Sequence, residues 1–173
     1  AIPLTIMPIA ICGVAEVPSF AAIPLDHIIS IRDHRQPAPD LRAFKTTPAI
    51  HSFVFDDTGD STNGRAPSEE AIQRLLSIYA ETTPESAILF HCHAGVSRSS
   101  AAAFIWLVRH GVSYAAAYAH VVAIRGPFVA PNQLMVKWAD QIMGHDGQMS
   151  AFLSAELGRR APERDEYFAR SGG

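Results

Sequence analysis

The stretch from 85 to 99, ESAILFHCHAGVSRS, constrains the fold more than any other part of the chain. Its first half, 85–91, is short and continuously apolar. That suits a strand buried on both faces at the centre of a parallel sheet. The pattern then breaks at once into small residues with one glycine, and an alanine-rich run follows Arg98. Strand, tight loop and helix in that order point to a sheet whose strands are joined by helical crossovers.

The other apolar segments agree. Residues 4–14 (LTIMPIAICGV), 27–33 (HIISIRD) and 49–57 (AIHSFVFDD) read as strands, rich in isoleucine and valine. A loop, DTGDSTNGRAP, follows the Asp56–Asp57 pair. Ser68 is placed to cap a helix over 69–81, with Ile72, Leu75, Leu76 and Tyr79 on one face. Further helices are expected over 99–111, ending at Gly111, and over 113–126, capped by Ser113 and ending at Gly126. Pro131 is expected to open a fourth over 131–144 and a last one is expected over 148–160. The expectation is a single α/β domain over 1–160, with a central, mostly parallel sheet flanked by helices and a second half of helices packed on one face. Residues 161–173 are expected to form a solvated C-terminal tail, with Tyr167 and Phe168 as docking points.

Composition narrows the partners. With 14 Lys and Arg against 17 Asp and Glu, the net charge is −3, which argues against nucleic acid. No apolar run approaches the roughly 20 residues of a membrane span. The apolar N-terminus lacks a basic region and carries Pro3 and Pro8, so it reads as a first strand rather than a signal peptide. Of the two cysteines, Cys12 lies in that strand and reads as a buried, inert thiol. Free thiols fit a reducing, cytoplasmic setting.

The chemistry concentrates at 91–99. His91 and Cys92 close the expected central strand at its carboxyl end, the edge at which open α/β sheets bind ligands. The backbone N–H groups of His93, Ala94, Gly95, Val96, Ser97 and Arg98 can point inward at an anion, with the following helix N-terminus behind them. Arg98 can clamp two oxygens of a phosphoryl group. The same field favours a thiolate at Cys92. His91 points away from Cys92 and is expected to give a supporting hydrogen bond to the loop backbone.

Residues 91–99, His-Cys-His-Ala-Gly-Val-Ser-Arg-Ser, match the HCxxGxxR[ST] signature of the cysteine-dependent protein tyrosine phosphatases. The -AG-SRS form resembles the compact dual-specificity-like branch, including its small bacterial members. Weaker resemblance covers about 49–144: VFDDT stands where that branch carries its general acid, and APNQL is similar to the Pro-Asn that follows its signature. A Trp-Pro-Asp triplet, a Lys-Asn-Arg-Tyr pocket wall and the lysines of phosphoinositide-directed loops are all missing. The resemblance implies that Cys92 is the nucleophile and forms a phosphocysteine. It makes the 93–98 backbone and Arg98 the holders of the phosphoryl oxygens, and Ser99 a partner of the departing sulfur. Ser97 is expected to bond within the loop, and Asn132 to brace it. Asp57 is the first choice for the general acid. Asp56 would face the other way on a strand, and Asp60 is a further candidate. No cofactor or metal is implied. The implied ligands are a phosphorylated protein substrate and, in the site, inorganic phosphate or vanadate.

Blander readings compete. His91, Cys92 and His93 are too close together to fill one zinc tetrahedron. The DDTGDSTNG loop fails as a calcium loop, because Gly59 and Ser61 fall where acidic ligands belong. Phe104, Trp106 and Trp138 read as core, and His110 and His120 as packing residues. A rhodanese-like sulfurtransferase also uses a cysteine loop at a strand end, but Ala94-Gly95, Arg98-Ser99 and the upstream Asp disfavour it. A non-catalytic phosphoprotein-binding pseudophosphatase is the alternative outside enzymes, and intact Cys92, Arg98 and Asp57 weigh against it. For a phosphatase, His93 and Val96 are expected at the pocket lip, with Phe128 and the 58–66 loop as walls. No basic cluster is expected near the loop, so polyphosphorylated headgroups are expected to be poor substrates.

Overall fold

The computed structural model describes residues 7–172. Four strands, β1 (Ile9–Gly13), β2 (His27–Arg32), β3 (Ala49–Val54) and β4 (Ile88–Cys92), form one sheet in the order β1-β4-β2-β3. Every neighbouring pair is parallel. All residues of β4 are buried, as its continuous apolar run requires for an inner strand covered on both faces. β1 is shorter than the expected 4–14; residues 4–6 lie outside the described residues, and the chain leaves the sheet at Gly13.

Five α-helices follow: α1 (Glu69–Ala80), α2 (Arg98–Arg109), α3 (Tyr114–Arg125), α4 (Gln133–Met143) and α5 (Gln148–Ser171). They share one core with one face of the sheet, joining Ile29, Ile31, Ile88 and Phe90 to Leu75, Phe104, Trp106, Val121, Met135 and Leu153. The opposite face is covered without an α-helix. There a 3₁₀ turn (Val14–Phe20) and connecting segments pack Val17, Phe20, Leu25, Leu41 and Phe44 over Cys12, Ile28 and Leu89.

The caps follow residue chemistry. The Ser68 hydroxyl accepts from Ala71 N–H (3.1 Å) and that of Ser113 from Ala116 N–H (3.3 Å). α4 starts one step later than expected. Asn132 is its cap and accepts from Met135 N–H at 3.0 Å, so Pro131 stands ahead of the helix rather than opening it. α5 runs beyond the expected 160 to Ser171, through Pro162. A proline removes one helical N–H. Here Arg164 Nη2 donates to the Leu157 carbonyl (3.0 Å), and Arg160 bridges Glu156 and Glu163 across the gap. The segment expected as a tail is thus the mostly exposed second half of that helix, with Tyr167 against Phe128 at 4.9 Å between ring centroids. No helix among the described residues is long and apolar enough to cross a membrane.

The register turns neighbouring residues of β4 to opposite faces. His91 pairs with Ser30 across β2 and its Nε2 meets the Ser30 hydroxyl at 2.7 Å; Cys92 points into the helical layer. Burial pushes the His91 pKa down, and does the same at His51, His110 and His120. These rings stay neutral when folded at a pH where the unfolded chain takes up protons. Stability is therefore full above the ordinary histidine pKa, about 6.5, and falls as the pH drops through it. The urea midpoint is expected to be level between about pH 7 and 8 and to decline toward pH 5. A level profile down to pH 5 would refute the neutral burial of these rings.

Candidate active site

β4 ends at Cys92 and α2 begins at Arg98, so residues 93–97 must turn the chain over the sulfur. Gly95 makes the turn at φ +70°, where a Cβ would lie 2.6 Å from the Cys12 carbonyl carbon and 2.8 Å from Gly13 N. Gly13 is equally confined, since a Cβ there would lie 2.8 Å from the His93 oxygen. The end of β1 and the loop are packed backbone to backbone.

The hydrogen bonds of this loop are one-sided. All five carbonyls of 93–97 have partners outside it. His93 O accepts from Val14 N–H (3.0 Å), Ala94 O from Arg125 Nη2 (2.9 Å) and Gly95 O from Arg125 Nε (3.0 Å). Val96 O accepts from Ala130 N–H (3.0 Å), and Ser97 O from Asn132 N–H (3.1 Å) and Ala101 N–H (3.0 Å). By contrast, among the described residues no backbone N–H of 93–98 donates to a backbone carbonyl. The Gly95 N–H donates to Cys92 Sγ at 3.3 Å. Apart from that of Gly95, these amides have no partner among the described residues, and a run of such groups beside a helix N-terminus is able to hold an anion.

Cys92 lies at its base, 3 % exposed, with Sγ 3.1 Å from the Ser99 hydroxyl. Arg98 is 5 % exposed. Its Nη1 donates to Asp33 Oδ1 (2.5 Å) and to the Phe55 carbonyl (2.8 Å), while its Nε is buried without a partner. Asp33 thus fixes one edge of the guanidinium and leaves Nε free to donate. The other thiol takes no part: burial first, and Glu16 second, push Cys12 up to about 12.

The expected residues meet, with corrections. Asp57 Oδ1 accepts from Ser97 Oγ (2.7 Å) and Asn132 Nδ2 (2.8 Å), so Ser97 bonds out of its loop rather than within it. Asn132 also donates to Thr58 O (3.2 Å) and ties the cradle to the acid-bearing loop. Asp56 does not face away from Asp57. Both line a cavity of about 590 Å³ that also touches Arg98, because β3 ends at Val54 and strand alternation ends with it. Asp56 Oδ1 is 3.6 Å from His34 Nδ1. Asp60 is exposed and spends its carboxylate on Thr62 N–H and Oγ1, bonds that lower its pKa. His91 Nδ1 lies 3.3 Å from the Cys92 carbonyl, while its stronger bond is to Ser30. His93 is exposed and Val96 half-buried. No basic cluster was expected near the loop, yet Arg35 and Arg65, far apart in sequence, line the same cavity as Arg98.

Sequence reasoning missed Asp33, Arg125 and Glu16. Asp33 carried one usable signal, a charged residue at the carboxyl end of a sheet strand. Arg125 carried none: it closes α3, and only packing brings it to the loop. Its guanidinium makes a bidentate pair with Glu16 (2.9 and 2.8 Å), which holds the Glu16 carboxyl below its ordinary range, and Glu16 also accepts from Gly13 N–H (3.1 Å).

Neither a protein-family model nor a curated protein matches the sequence. Solved structures do match the fold. Human DUSP28 is 20% identical, with a TM-score of 0.53 over 87% of this chain and 97% of that one. The Cydia pomonella PTP-2 phosphatase is 21% identical, with a TM-score of 0.57 over 77% and 84%. Human tyrosine phosphatase-like serine/threonine/tyrosine-interacting protein is 20% identical, with a TM-score of 0.55 over 77% and 85%. The fold is that of the dual-specificity phosphatases.

Arg125 holds two carbonyls of the 93–97 loop. Arg125→Ala is expected to weaken binding of inorganic phosphate or vanadate by about 10- to 100-fold, the scale of losing hydrogen bonds from a charged donor. Arg125→Lys is expected to recover only part of this. Titration calorimetry with vanadate checks it, and unchanged affinity in the alanine variant would remove Arg125 from the site.

Proposed function

We propose that this chain is a phosphomonoester hydrolase of the compact, bacterial-type dual-specificity branch. It removes phosphate from protein phosphotyrosine first and from phosphoserine or phosphothreonine more slowly. The observation that carries the reading is the one-sided loop, with every carbonyl of 93–97 engaged outward and the amides of 93–98 left over a cysteine sulfur. A tetrahedral, dianionic phosphoryl group fits such a nest, and Arg98 Nε supplies a further donor.

In the first step Cys92 Sγ forms a bond to phosphorus as the P–O bond to the substrate breaks, and Asp57 gives its proton to the leaving oxygen. In the second step water attacks phosphorus, Asp57 takes a proton from it, and the S–P bond breaks. Phosphate leaves and the thiolate is restored, with the Ser99 hydroxyl donating to the departing sulfur. Asp33 keeps the guanidinium plane of Arg98 aligned throughout. Asp57 is preferred to Asp56 because Ser97 and Asn132 hold one of its oxygens at the cradle rim. The mechanism needs a reduced Cys92, which fits work in the cytoplasm. A sulfurtransferase would not call for an acid bonded to the cradle at this point, and a binding-only module would not need the Ser99–sulfur contact.

Hydrolysis of p-nitrophenyl phosphate with vanadate inhibition tests the reading. Cys92→Ser is expected to abolish turnover while vanadate still binds; turnover within a few-fold of wild type would overturn the cysteine mechanism. Asp57→Asn is expected to lower kcat by about 10²–10⁴-fold, and less for aryl phosphates with better leaving groups. A larger, leaving-group-dependent loss in Asp56→Asn would move the acid to that residue. Cyanide-dependent sulfur transfer from thiosulfate, with no phosphatase activity, would establish the sulfurtransferase instead.

A further inference from the structure

The arginines of the chain are nearly all engaged. Arg32, Arg74 and Arg164 donate to backbone carbonyls. Arg42, Arg98, Arg125, Arg159, Arg160 and Arg170 pair with carboxylates. Among the described residues only Arg35, Arg65 and Arg109 make no side-chain hydrogen bond or ion pair. Arg109 sits in the last turn of α2, where its charge faces the negative helix end. The other two line one cavity, the 590 Å³ space that meets the cradle at Arg98 and Asp57.

Both stand on turns whose backbones are pinned. Arg35 lies in the turn closed by Gln36 N–H to Asp33 O (3.0 Å) and by Asp33 N–H to the Gln36 side chain (3.2 Å). The Arg65 carbonyl accepts from Asp56 N–H (2.7 Å), and its N–H donates to Asn63 Oδ1 (2.9 Å). Of the cavity's carboxylates, Asp33 is engaged by Arg98 and Asp57 by Ser97 and Asn132, while Asp56 Oδ1 is buried without a hydrogen-bond partner, 3.6 Å from His34 Nδ1. Arg35 and Arg65 add two exposed guanidinium groups to this cavity, neither with a side-chain partner. Exposed guanidinium groups that share a cavity are water-solvated donors, and an incoming anion can take the place of that water.

We propose that Arg35 and Arg65 form a second anionic subsite, which receives a carboxylate or phosphate flanking the phosphorylated residue of a peptide substrate. The proposal rests on the phosphatase reading and adds a sequence preference to it. Exposed charge pairs are individually weak, so two together set a preference of about threefold to tenfold in kcat/KM.

The test compares matched phosphotyrosine peptides with neutral flanks, with Asp or Glu flanks, or with a second phosphorylated residue, and an inositol bisphosphate alongside. Wild type is expected to turn over the anion-flanked peptides about threefold to tenfold faster, and the ratio is expected to shrink toward one in high salt. The Asp/Glu and second-phosphate arms tell which anion is preferred. The Arg35→Ala, Arg65→Ala double variant is expected to lose the ratio, the double lysine variant to keep most of it, and the double glutamate variant to invert it. The salt series on wild type needs no variant to fold. Equal kcat/KM for neutral and anionic peptides in a Cys92-dependent reaction, or a preference that survives the double alanine change, would overturn the subsite and leave the phosphatase reading intact. Fastest turnover of the inositol bisphosphate would overturn the peptide assignment. No Cys92-dependent hydrolysis of any phosphate monoester would overturn the reading beneath both.

Discussion

A peptide group's N–H and C=O point in opposite directions, so whatever holds the carbonyls of 93–97 outward aims the amides inward. Arg125 takes two of those carbonyls with one guanidinium and is itself anchored by Glu16, which also caps Gly13. Val14, Ala130 and Asn132 take the other three. The cradle is thus built from the outside, by groups that never face a ligand. A free loop of this composition would satisfy its own amides in turns. Here the carbonyl partners are taken first, and the amides are left for an anion.

The strand order explains where those groups come from. β4 lies between β1 and β2. β1 delivers Gly13 and Val14 to one side of the loop, and Asp33, just past the end of β2, reaches Arg98 from the other. The Ala130–Asn132 segment before α4 closes the remaining side and carries the contact to Asp57. The His91–Ser30 bond joins β4 to β2 one residue before Cys92. Gly13 and Gly95 permit the close approach of β1 to the loop, since a Cβ at either would collide with backbone.

Charge is arranged with the same economy. Arg98 is buried, its charge is balanced by Asp33 alone, and its Nε is left without a partner. Asp57 is oriented through one oxygen by two neutral donors, Ser97 and Asn132.

The local parts of this molecule were legible in the sequence because they depend on neighbours along the chain. The buried central strand, the Ser68 and Ser113 caps and the opposite facing of His91 and Cys92 all follow from spacing within one element, while the placing of Ser99 by the sulfur came from the family resemblance. Where the local rule ended, so did the reading. Alternation did not carry past Val54 to separate Asp56 from Asp57, and Pro162 did not stop a helix whose lost bond Arg164 and Arg160 offset. Cys92, Arg98 and the strand-loop-helix setting between them were determined by the sequence alone. The residues that aim them, Asp33, Glu16 and Arg125, and the gathering of Arg35 and Arg65 beside the cradle, were decided only by the tertiary structure. They are brought together from up to 109 positions apart, and hydrogen bonds between distant side chains leave no periodic trace in a sequence.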